Sequence, residues 1–343
     1  GVRALSSVQL SQPAGQSYEY ANENYDILGL IIQSVSGQSY EGYIRSAIFA
    51  PLQMNHSAAA LSDPAAADLA TGYRHWFFWP VAFDAPYPRR TTPSGFLISS
   101  AEDMTHYLVA QLNGGRYGNH QLLSPQGIAT LHKPGAQMSL LSSYGMGWVI
   151  QGQPGATKVW HNGDVSNFHA NLLLLPDQHI GIVILINVSK AYNNAAINMP
   201  IEGVAAILRG ERLTASTNPP STVSTQMIML AMLLIPILWI VGSYLCIRRW
   251  HQRGELPPHS SRRFWRLYLP LAIDVFPVVI AWIIVPARFR TPMTTLALFA
   301  PDVFFVIVAL TVLSLGWAMA RLYFTLQPRR LLLTPKYKFS ALA

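Results

Sequence analysis

WHNGDVSNFHANLLLLPDQHIGIVILIN, residues 160–187, carries the clearest pattern in the chain. Residues 168–175 and 179–187 are short runs rich in branched and aromatic side chains, the composition of strands. Pro176-Asp177-Gln178 separates them with turn-forming residues, so the two runs predict an antiparallel hairpin. Just upstream, residues 147–151 and 157–161 have the same texture and predict two further strands. Beyond the hairpin, residues 195–208 predict a helix.

Toward the N-terminus the spacing is helical. Leu28, Ile31, Ile32 and Val35 recur at intervals of three and four after Asn22, and Gly37 stands where a left-handed residue stops a helix. Ser39 is placed to cap a second helix that Pro51 ends. Ser100 opens a third, running through Leu112 to Gly114-Gly115, and residues 124–131 predict a shorter one. Helices, then successive antiparallel strands, then a closing helix predict an α+β domain over residues 1–212.

The remainder has a different character. The 343 residues are 51% hydrophobic and 12% charged, with a net charge of +8. That charged fraction is half the usual value of about 25% for a soluble domain, and it excludes a disordered chain. Residues 1–225 hold 11 Lys+Arg against 13 Asp+Glu, and residues 226–343 hold 13 against 3. The basic excess therefore lies in the tail, beside three apolar stretches at 227–247, 267–287 and 296–320. About 20 apolar residues cross a bilayer core of roughly 30 Å, so each stretch predicts a transmembrane helix in a membrane domain of residues 226–343. Arg248, Arg249, Arg253, Arg262, Arg263 and Arg266 follow the first stretch, and Arg321, Arg329, Arg330, Lys336 and Lys338 follow the third. Only Arg288 and Arg290 lie between the second and third. The positive-inside rule then places the C-terminus in the cytoplasm and residues 1–212 outside it, in a multi-pass cell-membrane protein. On that reading the charge reports orientation and implies no nucleic-acid partner. Residues 213–225, LTASTNPPSTVST, are uncharged and Ser/Thr/Pro-rich, as in a linker. Asp274 and Asp302, costly in a bilayer, are expected to hydrogen-bond between helices or to sit at an interface. The single cysteine, Cys246, excludes an internal disulfide.

Four segments taken in order resemble one family. They are PAGQSYEYANENYDILGLIIQSVSGQSYEGYIRSAIFAPLQM (13–54), PSGFLISSAEDM (93–104), YGMGW (144–148) and residues 160–187. Together they resemble the serine β-lactamase-related hydrolases, which include class C β-lactamases, D-alanyl-D-alanine peptidases and esterases. The resemblance spans roughly residues 10–210 and implies a partial serine β-lactamase/DD-peptidase-like fold, an antiparallel sheet flanked by helices. It also implies a serine that is acylated by the substrate carbonyl and released by water.

Tyr20-Ala21-Asn22 matches the family's Tyr-x-Asn triplet. The resemblance implies that Tyr20, with its pKa lowered by nearby cations, exchanges protons with the serine and the leaving group. Asn22 would then hold a lysine and the substrate amide. Taken alone, the same residues also read as a core tyrosine and a helix N-cap. His161-Asn162-Gly163 matches the Lys/His-x-Gly triplet of a strand. By resemblance His161 faces the nucleophile and the substrate carboxylate, as a charge or a hydrogen-bonding group. Asn162 and Gly163 line the substrate, with Gly163 leaving room for it, and the Asp164 backbone N–H completes the oxyanion site. Asn167 stands where many relatives have glycine, and it is expected to keep the turn through a left-handed backbone.

One part of the machinery is absent. The residues three before Lys133, Lys158, Lys190, Lys336 and Lys338 are Thr130, Gly155, Asn187, Leu333 and Pro335, so the chain contains no Ser-x-x-Lys. The expectation is an N-terminally truncated chain, inactive by itself. No Gly-x-Ser-x-Gly elbow is present, and the histidines have no metal-ligand spacing, so neither metal nor cofactor is implied. The functional expectation is a membrane-anchored serine hydrolase acting on an ester, amide, peptide or β-lactam carbonyl of a small-molecule or peptide substrate. The competing reading is a non-catalytic domain that binds or senses cell-wall peptide.

Overall fold

The computed structural model describes residues 17–77, 79–152, 156–189, 194–211, 222–253, 268–284 and 292–326, with a few isolated positions besides. It divides into a unit of residues 1–75 and 79–220 and a unit of residues 76–78 and 221–343.

In the first unit the helices are α1 (Asn22–Ser36), α2 (Tyr40–Ile44), α3 (Thr92–Gly95), α4 (Ala101–Leu112), α5 (Pro125–Leu131) and α6 (Asn194–Leu208). The strands are β1 (Tyr73–Trp76), β2 (Trp79–Ala82), β3 (Arg116–Tyr117), β4 (His120–Gln121), β5 (Ala136–Ser139), β6 (Ser142–Tyr144), β7 (Val149–Gln151), β8 (Lys158–Val165), β9 (Phe168–Leu175), β10 (Ile180–Ile186) and β11 (Val188–Ser189). Strands β5 to β10 form one antiparallel sheet in chain order. β11 adds in parallel to the β1–β2 hairpin, and β3–β4 is a separate ribbon.

The sheet explains the run Leu172–Leu175. Successive side chains of a strand point to opposite faces. Leu174 packs with Leu108, Trp148, Ile150 and Val159 on the α4 side, and Leu173 and Leu175 pack with Ile182, Ile201 and Ala205 on the α6 side. Both faces are covered, so no alternation survives in the sequence. Each leucine so buried contributes about 1.5–3 kcal/mol.

The predicted caps are present. Gly37 ends α1 with φ 69°. Ser39, Ser100 and Ser124 each accept a backbone N–H three residues on, from Gly42, Asp103 and Gly127, at 3.1 Å. Other details differ from the sequence expectation. Asn22 does not cap α1, because it is already helical and Ala21 occupies the cap position with no side-chain acceptor. The helix from Ser39 changes to π-helical winding over Arg45–Phe49. The strand expected over 157–161 continues to Val165, because β9 pairs with it along its whole length. Asn167 is not left-handed, since Gln53, Phe77 and His179 are the described non-glycine residues with positive φ. Its side chain holds the turn differently, donating Nδ2–H to the Phe83 carbonyl at 3.0 Å.

The second unit contains α7 (Thr222–Arg253), α8 (Leu269–Val279, continued by a π-turn over Ile280–Ile284), α9 (Met293–Phe299) and α10 (Pro301–Leu326). Of the expected linker, residues 213–221 lie outside the described residues, and Thr222 already begins α7. Two helices, Met227–Arg253 and Pro301–Thr325, are long and apolar enough to cross a membrane. The stretch expected as the middle span is helical over Leu269–Ile284, which is shorter. At 1.5 Å per residue it spans about 24 Å, against a bilayer core of roughly 30 Å.

Three of these helices share a buried polar cluster. Arg321 of α10 donates Nε–H to Asp274 Oδ2 of α8 at 2.7 Å and an Nη2–H to Asp274 Oδ1 at 3.3 Å. A second Nη2–H goes to Ser243 Oγ of α7 at 2.7 Å, and Trp239 Nε1–H of α7 donates to Asp274 Oδ1 at 2.7 Å. Asp274 therefore hydrogen-bonds between helices, as its cost in an apolar environment requires. Asp302 is fully buried at the start of α10, where its Oδ1 accepts the Val303 N–H at 2.8 Å.

Removing one partner of a buried, hydrogen-bonded ion pair costs about 3–5 kcal/mol, whereas replacing both by apolar groups is often neutral. Arg321→Met is therefore expected to lower the thermal unfolding midpoint of the second unit in detergent sharply. Asp274→Leu/Arg321→Met is expected to recover most of the loss, as followed by far-UV circular dichroism. Equal losses in the single and double variants would show that the pair does not organise these helices.

Candidate active site

Strand β8 is the platform of the site. It lies between β7 and β9 and carries His161, Asn162, Gly163 and Asp164 opposite Leu172, Asn171, Ala170 and His169. The space above Gly163 is open: a Cβ built there meets nothing within 4 Å.

Two elements bring tyrosines to this platform. Tyr20 and Tyr18 lie on the segment that enters α1, and Tyr25 lies in the first turns of that helix. α1 is seated by Gly29, where a Cβ would lie 2.3 Å from Pro93 Cγ of α3. Tyr144 comes from the end of β6, at the turn that leads into β7. Two glycines make that turn for different reasons. A Cβ on Gly145 would lie 2.7 Å from the Lys133 carbonyl oxygen, and Gly147 has φ 82°.

The result is a cluster of aromatic rings around His161. The Tyr20 ring lies 6.2 Å from His161, 6.2 Å from Tyr144 and 5.9 Å from Tyr25. Tyr18 packs 5.2 Å from Tyr144. The Tyr144 hydroxyl is 3.0 Å from His161 Nε2, and the Tyr25 and Tyr144 hydroxyls are hydrogen-bonded to each other.

The structure thus brings Tyr20, His161 and Gly163 together. Asn22 is exposed at the start of α1. The Asp164 carboxylate is engaged elsewhere, accepting from His169 Nδ1 at 2.6 Å. His169 is buried, and its Nε2 meets Asn171 Nδ2 at 2.8 Å and Asn198 Oδ1 of α6 at 3.2 Å. This cluster ties the end of β8 to β9 and α6. Tyr25 and Tyr144 were not singled out from the sequence. Tyr144 belongs to YGMGW, but nothing in that motif indicates that its hydroxyl reaches a histidine seventeen residues on.

The electrostatics correct one expectation. Tyr20 was expected below its usual pKa, yet burial, then Tyr25 and Tyr18, push it up. Tyr144 is pushed up more strongly, by burial first and then by its bond to Tyr25. Burial lowers the His161 pKa, partly opposed by a hydrogen bond to the Asn162 backbone. At neutral pH the cluster is therefore a set of neutral phenols around a neutral imidazole. His161 acts there as a hydrogen-bonding group more than as a cation.

A sheet flanked by helices with this strand triplet and tyrosine pair defines a family: the chain belongs to the one described as Beta-lactamase, which matches residues 1–200. Among curated proteins it is similar to Protein flp of Staphylococcus aureus strain COL, at 26% identity over 321 residues, 87% of this chain and 62% of that protein. That coverage is more than residues 1–200 supply, so the likeness extends into the second unit. Protein flp of strain MRSA252 is 33% identical over 192 residues, covering 55% of this chain and 37% of that protein. Unguisins hydrolase ungD' of Aspergillus campestris is 26% identical over 209 residues, covering 57% and 38%. Among solved structures, the octameric penicillin-binding protein homologue from Pyrococcus abyssi is similar at 28% identity and TM-score 0.50, over 59% of this chain and 45% of that one.

Burial lowers the pKa of both His161 and His132 below 6.5, so the unfolded chain binds more protons than the folded one as pH falls through that value. Stability is expected to be full above pH 6.5 and to decline as acid protonates these rings. Denaturant midpoints between pH 7.5 and 5.5 should fall, and His161→Gln should flatten part of the slope. An unchanged slope in that variant would mean that His161 titrates normally.

Proposed function

We propose that this chain carries the proton-transfer and substrate-lining half of a serine hydrolase site that works through an acyl-enzyme. The observation that carries the reading is the meeting of Tyr20 and His161, rings 6.2 Å apart, beside the open backbone of Gly163. Family membership supports it, as does the likeness to a relative named as a hydrolase.

The chain spans 62% of the length of the Staphylococcus aureus strain COL protein it matches. None of its lysines follows a serine at the Ser-x-x-Lys spacing. In this reading the nucleophilic serine and its lysine come from sequence outside residues 1–343. The lysine supplies what the tyrosine cluster lacks. A neutral phenol held above its usual pKa is a poor base, and an ammonium beside Tyr20 would lower its pKa. The serine oxygen then attacks the carbonyl of an ester, amide, peptide or β-lactam while its proton passes to the Tyr20 oxygen. That proton moves on to the leaving group as the carbonyl–leaving-group bond breaks, and water hydrolyses the acyl-serine. Gly163 leaves space for the substrate along β8, Asn162 lines it, and the Asp164 N–H donates to the oxyanion. Asn22, exposed at the start of α1, is free to meet the lysine and the substrate amide.

The second unit is the proposed membrane anchor. Its two long apolar helices leave most of their side chains unburied, unlike the core helix of a soluble protein. In the full proposal α8 makes a third crossing, and the Arg-rich end of α7 and the C-terminus face the cytoplasm. The hydrolase unit then faces away from it.

The test is labelling of the full-length membrane protein with a fluorescent fluorophosphonate and a fluorescent penicillin. The expected adduct maps to a serine three residues before a lysine. Tyr20→Phe is expected to slow its formation by roughly 10²–10⁴-fold, the usual worth of a proton-transfer group. Binding of a cell-wall peptide without any adduct or turnover would instead establish the non-catalytic reading.

A further inference from the structure

The environment of His161 carries a second conclusion, which rests on the site reading above and adds a residue to it. Neutral imidazole has one N–H donor and one acceptor nitrogen, and its neighbours select which is which. Nε2 faces the Tyr144 hydroxyl at 3.0 Å. The ring's hydrogen bond to the Asn162 backbone favours protonation, which identifies the backbone partner as a carbonyl accepting from a ring N–H. With Nε2 turned to Tyr144, that N–H is Nδ1.

Nε2 is then the acceptor, and the hydroxyls must be ordered to suit it. Tyr144 donates its O–H to His161 Nε2, and its own oxygen accepts the O–H of Tyr25. In this arrangement every donor and acceptor of the chain is used. The opposite order would turn the Nδ1 lone pair toward a carbonyl oxygen.

We infer that Tyr144, steadied by Tyr25, is a positioning residue that holds His161 as the Nδ1–H tautomer, with Nε2 committed to the Tyr144 hydroxyl. The half-buried phenol keeps its proton across the physiological range and so remains a donor. The consequence for the proposed site is a division of labour. His161 fixes the aromatic wall of the cleft, and Tyr20 is left as the proton-transfer group. The turn built by Gly145 and Gly147 sets the reach of Tyr144, and α1 sets that of Tyr25. The hydroxyl chain thus registers the helix carrying the tyrosines against the strand carrying the triplet.

The experiment is nitrogen-15 NMR of the full chain in detergent with labelled histidine, at a pH where His161 is neutral. His161→Gln identifies its resonances among those of the ten histidines. Wild-type Nδ1 is expected at the protonated position and Nε2 at the unprotonated one. Tyr144→Phe removes the donor without changing the ring, and the Nε2 resonance is expected to move toward the protonated position. Tyr25→Phe leaves Tyr144 able to donate, so His161 should remain Nδ1–H, and this variant keeps the test open should Tyr144→Phe fold poorly. Unchanged resonances for the other nine histidines report an intact fold. Protonated Nε2 in the wild type or in Tyr25→Phe, or an unmoved Nε2 in a folded Tyr144→Phe, overturns the inference. The readout requires no acylation, so it stands or falls separately from serine labelling.

Discussion

Strand β9 is buried on both faces, and the site depends on it. Its leucines face α4 on one side and α6 on the other, so β9 cannot shift by one residue without exchanging two packed cores. β8 pairs with β9 from Val159 to Val165 and inherits that fixed register. His161, Asn162, Gly163 and Asp164 are held in a strand interior for this reason, with an open space above Gly163. The Asp164–His169–Asn198 cluster adds a second tie from β8 to β9 and α6.

The catalytic side chains are attached to this rigid frame through hydroxyl groups. α1 sits on α3 at the close range that Gly29 allows, and it presents Tyr25 to Tyr144. No cation is within the aromatic cluster among the described residues, and burial raises the pKa of Tyr18, Tyr20 and Tyr144. A site of this kind is primed for chemistry only when a positive group joins it. This gives a physical reason for the Ser-x-x-Lys element to supply a lysine as well as a nucleophile.

Much of the framework was legible in the sequence, because it depends on local chemistry. Gly37, Ser39, Ser100 and Ser124 are caps whose partners lie within a turn, and the β9 strand was bounded to the residue. Tyr20 and His161 were found as triplets. What was not legible depends on distant partners. β5 and β6, AQMS and SSY, are polar edge segments that become strands by pairing with β7 onward. The β8 strand was read too short because Asn162-Gly163-Asp164 resembles a turn until β9 pairs with it. Asn167 and Asn22 were assigned local backbone roles that their backbones do not adopt. The Asp274–Arg321 pair, 47 residues apart, was anticipated as hydrogen bonding between helices, but its partner was not.

The central claim is that a serine acyl group forms in the space bounded by Tyr20, His161 and Gly163. An experimental structure of the full-length protein after reaction with a phosphonate inhibitor tests it most directly. The account predicts a phosphonylated serine with phosphorus over the Gly163–Asp164 backbone, its oxygen within hydrogen-bonding distance of the Asp164 N–H, and the Tyr20 hydroxyl beside the serine oxygen. An adduct on a residue away from β8, or an unmodified serine with that space filled by protein side chains, would contradict it.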